Sequence, residues 1–180
     1  RASSCEVVLR NMTELCHHAA EVMRSKLLPL TGRRWQGEDV LDDGTRIQVL
    51  LRCSEEGLQV DFSGSGPVHD GNLNATEAIV RSAVLYVLRA WVGDHLPLNE
   101  GLLDDVHIKT PEGILSPVFP EDPAVCPAVV GGNVETSQRI VDVLLDALHL
   151  QANSQGTMNN FLFGNAAFAY YETIGGGSGA

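Results

Sequence analysis

Three stretches of this chain carry side chains that could do chemistry. Val129–Arg139 reads VVGGNVETSQR, Asn153–Asn160 reads NSQGTMNN, and Tyr170–Ala180 reads YYETIGGGSGA. All three are rich in Asn, Gln, Ser, Thr and Gly and lack Lys. Protein surfaces are usually dressed with Lys and Glu. Uncharged amides and hydroxyls among glycines instead suggest backbone and side chains converging on something polar. In the first stretch, two glycines lead into Asn133, which is suited to cap a helix, and Glu135 falls in the first turn, where an acid complements the helix dipole. A helix N-terminus presents free N–H groups and glycines allow close approach, so a carboxylate, phosphate or oxyanion would be accommodated near Asn133–Ser137. A well-capped structural helix is the competing reading.

These stretches need elements to hold them. A helix is expected from about Ser4 to Lys26, capped by Ser3 or Ser4, with Val8, Met12, Leu15, Ala19 and Val22 or Met23 as its apolar stripe. His17 and His18 are adjacent, so they point about 100° apart and cannot serve one metal together from this helix. Strands are expected at Arg34–Leu41, Arg46–Arg52 and Leu58–Phe62, joined through Asp42-Asp43-Gly44 and Glu55-Glu56-Gly57. Asp61–Asn74 is a long polar loop, either a surface connection or a binding loop. A helix over Ala75–Val92, capped by Asn74 or Thr76, has its seam at Thr76, Val80, Val84, Val87 and Trp91, and an expected Glu77–Arg81 pair on its wet side. His95 lies beside Asp94 and near Glu100, a base and possible carboxylate partners.

Val106–Thr110 is a short strand, and the proline-rich Leu115–Pro127 is extended and irregular. Val141, Leu144, Leu145 and Leu148 form the buried face of a helix ending near His149. Met158–Gly164 and Ala167–Thr173 pair as a hairpin around Asn165, which places SQGTMNN beside ETIGGG. The C-terminal glycines have neither the Lys nor the spacing of a phosphate loop, and Ser178 does not satisfy Gly-x-Ser-x-Gly. The fold class is therefore α+β, with helices and a small antiparallel sheet.

Composition narrows the classes of function. The chain has 180 residues, 44% of them hydrophobic, and a net charge of -11. That supports one core and opposes binding to nucleic acid or an anionic membrane. No apolar run reaches the roughly 18 residues of a membrane span, and the first residues lack a signal-peptide apolar region. Cys5, Cys16, Cys53 and Cys126 match no zinc spacing, and are expected to be buried, reduced thiols of a cytoplasmic protein.

DFSGSGP, GNLNA, RSAVLYVLRAWV, PLNEGLLDDVHIKTPEG, AVVGGNVETSQRIVD, SQGTMNN and YYETIGGGSGA follow one another from about Gly37 to Ala180. Together they resemble the hydantoinase B/5-oxoprolinase B family, most closely its oxoprolinase branch. The resemblance implies that residues 1–180 are part of one larger hydantoinase B domain, truncated at both ends, and that GGGSGA is native sequence. It implies an ATP-dependent enzyme opening 5-oxo-L-proline to L-glutamate in the glutathione cycle, or a hydantoin-like ring. ATP and Mg would be bound by a hydantoinase A-like component, separate or fused, whose phosphorylation of the amide oxygen makes the ring carbon attackable by water. No cofactor is assigned to this stretch itself, and the full enzyme is expected to be a homo-oligomer.

On this reading Glu135 activates water and Arg139 holds a carboxylate. Asn133, Thr136, Ser137, Gln138, Ser154, Gln155, Asn159, Asn160 and Glu172 line the substrate site or the contact with the A component. No HxxH, HExxH or His/Asp cluster is present, so no metal ligands are assigned and the isolated chain is expected to be inactive. The alternatives are a structural region contacting the A component and part of an acetone or acetophenone carboxylase-like enzyme.

Overall fold

The computed structural model describes residues 4–93, 96–153, 155–157 and 159–176. Helix α1 spans Cys5–Leu27 and starts on Ser4, whose Oγ accepts from the Val7 N–H. Its apolar stripe is only half used. Ala19, Ala20, Met23 and Leu27 are buried, whereas Val8, Met12 and Leu15 are exposed. Helical spacing reports which residues share a face, not how far the neighbouring element extends. The buried half lies where Gly101 presses against the Cys16 carbonyl.

Strands β1 (Arg34–Val40), β2 (Arg46–Ser54) and β3 (Gly57–Asp61) form an antiparallel meander. The β1–β2 turn is set by Asp43, which accepts from Thr45 N (2.8 Å) and Thr45 Oγ1 (2.9 Å), and by Gly44 at φ +87°. Thr45's backbone and side-chain donors, more than the nearby His69, hold the Asp43 carboxyl below its ordinary range. On β2, alternation places Ile47, Val49, Leu51 and Cys53 in the core. Helix α2 (Glu77–Val92) then crosses over, and β4 (Val106–Lys109) joins the sheet parallel to β3, pairing Leu58 with Val106. The sheet is thus a mixed four-stranded one in the order β1-β2-β3-β4. A crossover of this length, with its own helix, is what a parallel neighbour requires.

Helix α3 (Glu135–Ala147) packs across β1 and β2 and alongside α2. Gly37 on β1 permits this, because a side chain there would meet the Val143 carbonyl and the Ala147 Cβ. At the far end of α2, Trp91 meets Trp35 of β1 edge-on, with centroids 6.1 Å apart, and Lys26 of α1 stands over the Trp91 ring. The Glu77–Arg81 pair does not form. Ser116 donates to Glu77, and Arg81 pairs with Glu100.

A hairpin of β5 (Asn159–Gly164) and β6 (Ala169–Ile174) follows, with Phe161, Phe163 and Tyr170 packed on one another and yet exposed. Among the described residues the architecture is α+β: three α-helices, a mixed sheet and this two-stranded sheet. Among the described residues no helix is long and apolar enough to cross a membrane. All four cysteines are unpaired, but only Cys53 is buried, where desolvation pushes its thiol up; Cys5 is exposed, and Cys16 and Cys126 are half-buried.

Candidate functional site

The polar loop Asp61–Asn74 and the chain entering Val129–Arg139 are joined at one buried side chain. Asn74 is 0% exposed. Its Oδ1 accepts from the His69 N–H (2.7 Å), and its Nδ2 donates to the carbonyls of His69 (2.8 Å), Gly71 (3.3 Å) and Ala128 (3.1 Å). It is therefore a clamp between two loops, not the cap of α2. Around it Gly131 N–H donates to the Asn72 carbonyl (2.8 Å) and the Thr136 hydroxyl donates to the Leu73 carbonyl. His69 continues the network outward. Gly71 N–H donates to its Nδ1 (2.8 Å), so the ring proton sits on Nε2 and is given to Asp43 (2.7 Å). The β1–β2 turn, the glycine loop and the start of α3 are thus one hydrogen-bonded body.

This stitching changes how α3 begins. Asn133 is not its cap. Gly131–Asn133 makes a single tight turn, Val134 occupies the cap position, and no side chain caps the helix. Gly132 is pressed so close to Asn74 and Ala75 that the chain turns before the helix starts. Asn133 is exposed and its carbonyl accepts from Ser137 Oγ (2.9 Å). Glu135 is exposed at the first helical position. Thr136 is fully buried against Leu73, and Arg139 gives its guanidinium to Asp39 of β1.

Asn133, Ser137 and Gln138 line a cleft of about 420 Å³ between α3 and α2. Ile79, Ala83, Val141 and Leu145 form its apolar wall, with Ser82, Tyr86 and Gln151 also at its edge. The residue missed from sequence is Asp142. It is 5% exposed, lines the same cleft, and accepts from Gln138 Nε2 at 2.9 Å. Burial raises its pKa, outweighing the Gln138 hydrogen bond and the nearby Arg139 charge, both of which lower it. The signal was present: Asp142 stands between Val141 and Val143 on a helix whose next turn is Leu144-Leu145.

A raised folded-state pKa means that the native protein binds this proton more tightly than the unfolded chain does. Stability from Asp142 is fully present below its ordinary value of 3.8 and is lost as pH rises through the higher folded value. Asp142→Asn keeps the acceptor for Gln138 and removes the buried charge. Its unfolding midpoint is expected to exceed wild type at about pH 7 and to converge with it in acid, as measured by urea unfolding at both pH values.

The two remaining polar stretches come together, and the first of them reaches this helix. A side chain at Gly156 would overlap Gln138, and one at Gly176 would overlap Gln155. Asn160 and Glu172 lie on the exposed hairpin, engaged by its own tyrosines. Tyr171 OH donates to Asn160 Oδ1 (2.9 Å) and Tyr170 OH to Glu172 (2.7 Å). Asn159 opens β5 and pairs with Ile174. Ser154, Asp94, His95 and Ser178 lie outside the described residues. Among the described residues, no three His, Cys, Asp or Glu side chains are grouped to hold a metal ion.

The chain is similar to known proteins over most of its length. The model of the hydantoinase B/oxoprolinase family matches residues 2–180. The 5-oxoprolinase of Saccharomyces cerevisiae is 42% identical over 191 residues, covering 96% of this chain and 14% of that protein. The 5-oxoprolinase 1 of Arabidopsis thaliana is 48% identical over 145 residues, covering 79% of this chain and 11% of that protein. The chain thus spans about a seventh or less of the length of these relatives. Among solved structures, the ATP-dependent caprolactamase from Pseudomonas jessenii superposes with a TM-score of 0.65 at 21% identity, over 81% of this chain and 25% of that one. That likeness is one of fold.

Proposed function

Since the chain belongs to the hydantoinase B/oxoprolinase family, we propose that it is the B-type part of an ATP-dependent hydrolase that opens 5-oxo-L-proline to L-glutamate. The observation that carries this reading is the extent of its identity with proteins named 5-oxoprolinase across nearly the whole chain. The caprolactamase likeness agrees with a cyclic amide as substrate class. None of these relatives is named as a ketone carboxylase.

In this reading, amide and hydroxyl groups of Asn133, Ser137 and Gln138 hold the ring amide in the cleft they line. Such groups match the donor and acceptor of a lactam without carrying charge. Glu135 is the proposed water activator, an exposed acid at the first helical position, one turn before Gln138 and outside the cleft lining itself. Arg139, tied to Asp39, and Thr136, tied to Leu73, keep the helix in register beneath it. Gln155, Asn160 and Glu172 do not line the cleft, and are assigned instead to the contact with the A component.

The described lining of the cleft contains neither Lys nor Arg, so a triphosphate would find no positive charge there. ATP with Mg is accordingly assigned to a hydantoinase A-like component, fused or separate. Cytoplasmic location, a place in glutathione metabolism and a homo-oligomeric whole enzyme belong to the same proposal. Glu135→Gln, made in the complete enzyme, is expected to lower turnover about a hundredfold or more while leaving the unfolding midpoint within error. Equal loss of activity and stability would make Glu135 structural.

A further inference from the structure

We infer that the cleft between α2 and α3 binds a small organic ammonium, with Asp142 as its counter-ion. The cleft, at about 420 Å³, has the size of a small-molecule site. Its polar lining is made of neutral groups and one acid: Ser82, Asn133, Ser137, Gln138, Asp142 and Gln151. That set offers hydroxyl and amide oxygens to an N–H donor and offers no cation to an anion.

Asp142 supplies the charge argument. A buried carboxylate is costly unless paired with a cation and fully hydrogen-bonded. Here a neutral amide, Gln138 Nε2, donates to Oδ1. The adjacent guanidinium, Arg139, is committed to Asp39 on β1. The carboxylate is therefore desolvated, with Arg139's charge shared with Asp39, beside a cleft whose described lining brings no further positive side chain to it. An ammonium entering that cleft completes the pair. Ile79, Ala83, Val141 and Leu145 would flank its methylene stem, and the exposed Tyr86 ring at the rim can lie over it.

The site's link to chemistry rests on the amide-opening reading. Hydrolysis of an amide forms a carbon–oxygen bond from water and breaks the carbon–nitrogen bond. The nitrogen takes the protons of water that the carboxylate leaves behind, so the products are a carboxylate and an ammonium. The cleft then takes the ammonium of the opened ring, with the carboxylates turned out of the cleft, away from Asp142. Binding itself does not depend on that reading.

The test is titration of the 180-residue chain with n-butylamine, with uncharged N-butylacetamide and with butyrate, followed by calorimetry and by the NMR shift of the Asp142 carboxyl carbon. The amine is expected to bind and to move that resonance, and both other probes to bind at least about tenfold more weakly. Asp142→Asn, which keeps the Gln138 contact, is expected to weaken the amine by about tenfold or more. Ser82→Leu, which fills the cleft without touching the acid, is expected to abolish binding. Equal affinity for amine and acetamide, undiminished binding by Asp142→Asn, or no binding at all would overturn the inference. Absence of ring-opening turnover in the complete enzyme, with amine binding intact, would overturn the amide-opening reading alone.

Discussion

Replacing Asn74 by alanine is expected to lower the free energy of unfolding by about 3 kcal/mol or more. The change removes one acceptor and a two-proton donor from a fully buried position. It leaves the His69 N–H and the carbonyls of His69, Gly71 and Ala128 without their partner. A buried polar group that loses its hydrogen bond bears its desolvation cost unrelieved, about 1–3 kcal/mol each, and some relaxation or water entry will offset part of the sum. Urea unfolding would read the effect as a fall in midpoint with little change in slope. Asn74→Asp is informative beside it. The carboxylate keeps the contact from His69 N–H but faces three carbonyls where the amide donated, so it should be no better than alanine at neutral pH. A midpoint near wild type for either variant would mean that the two loops do not need this clamp.

Gly132→Ala is expected to damage stability and activity together. Its new methyl would overlap the Asn74 carbonyl oxygen and would lie 2.7 Å from the carbonyl carbon and 2.9 Å from the Ala75 Cα. All three are backbone atoms, so no side-chain rotation relieves the contact. The turn at Gly131–Asn133 must lift away, taking with it the Thr136–Leu73 hydrogen bond and the start of α3. A loss of about 3 kcal/mol is expected, at the upper part of the range for overpacking. In a complete enzyme, the same shift displaces Asn133, Glu135, Ser137 and Gln138 at once, and a misplacement near 1 Å can cost about a hundredfold in rate. Gly175→Ala is the control, since its methyl meets nothing within 4 Å. It should leave the unfolding midpoint unchanged, and a matching loss there would show that glycine as such, not the close approach at Gly132, is what matters.

Period and turn chemistry made much of the scaffold legible. The helices α1 and α2, the meander β1–β3 and the β5–β6 hairpin all fall where alternation, helical spacing and Asp-Asp-Gly or Glu-Gly turns place them. Those signals are local. The direction of β4 is not, because it depends on where α2 carries the chain. The same locality explains α1, whose apolar spacing continues past the point where anything packs on it. The stretch Val129–Arg139 stands out in the sequence by composition, but the contacts its residues make in the fold come from partners far away in sequence. Asn133 has the chemistry of a cap, yet the pressure of Asn74 and Ala75 on Gly132 starts the helix differently. Arg139 meets Asp39, 100 positions earlier. An acid on a helix is usually on its wet face, so the position of Asp142 between Val141 and Val143 is a weak signal, and the packing of α2 against α3 is what buries its charge.

The meeting of Trp35 with Trp91 has an optical consequence. These are the only two tryptophans in the sequence, their rings nearly perpendicular at 83°, with a lysine ammonium over one of them. Together they join α1, β1 and α2. Indole emission and the exciton band of the pair therefore form a single spectroscopic channel that goes dark or shifts when those three elements part. Two of the three tyrosines, Tyr170 and Tyr171, sit on the hairpin and the third, Tyr86, at the cleft. Excitation of indole alone would follow the body of the protein and be silent to the hairpin, whereas phenol absorbance would follow the hairpin and the cleft. The protein thus carries two native reporters, indole for the helix–sheet body alone and phenol for the hairpin together with α2.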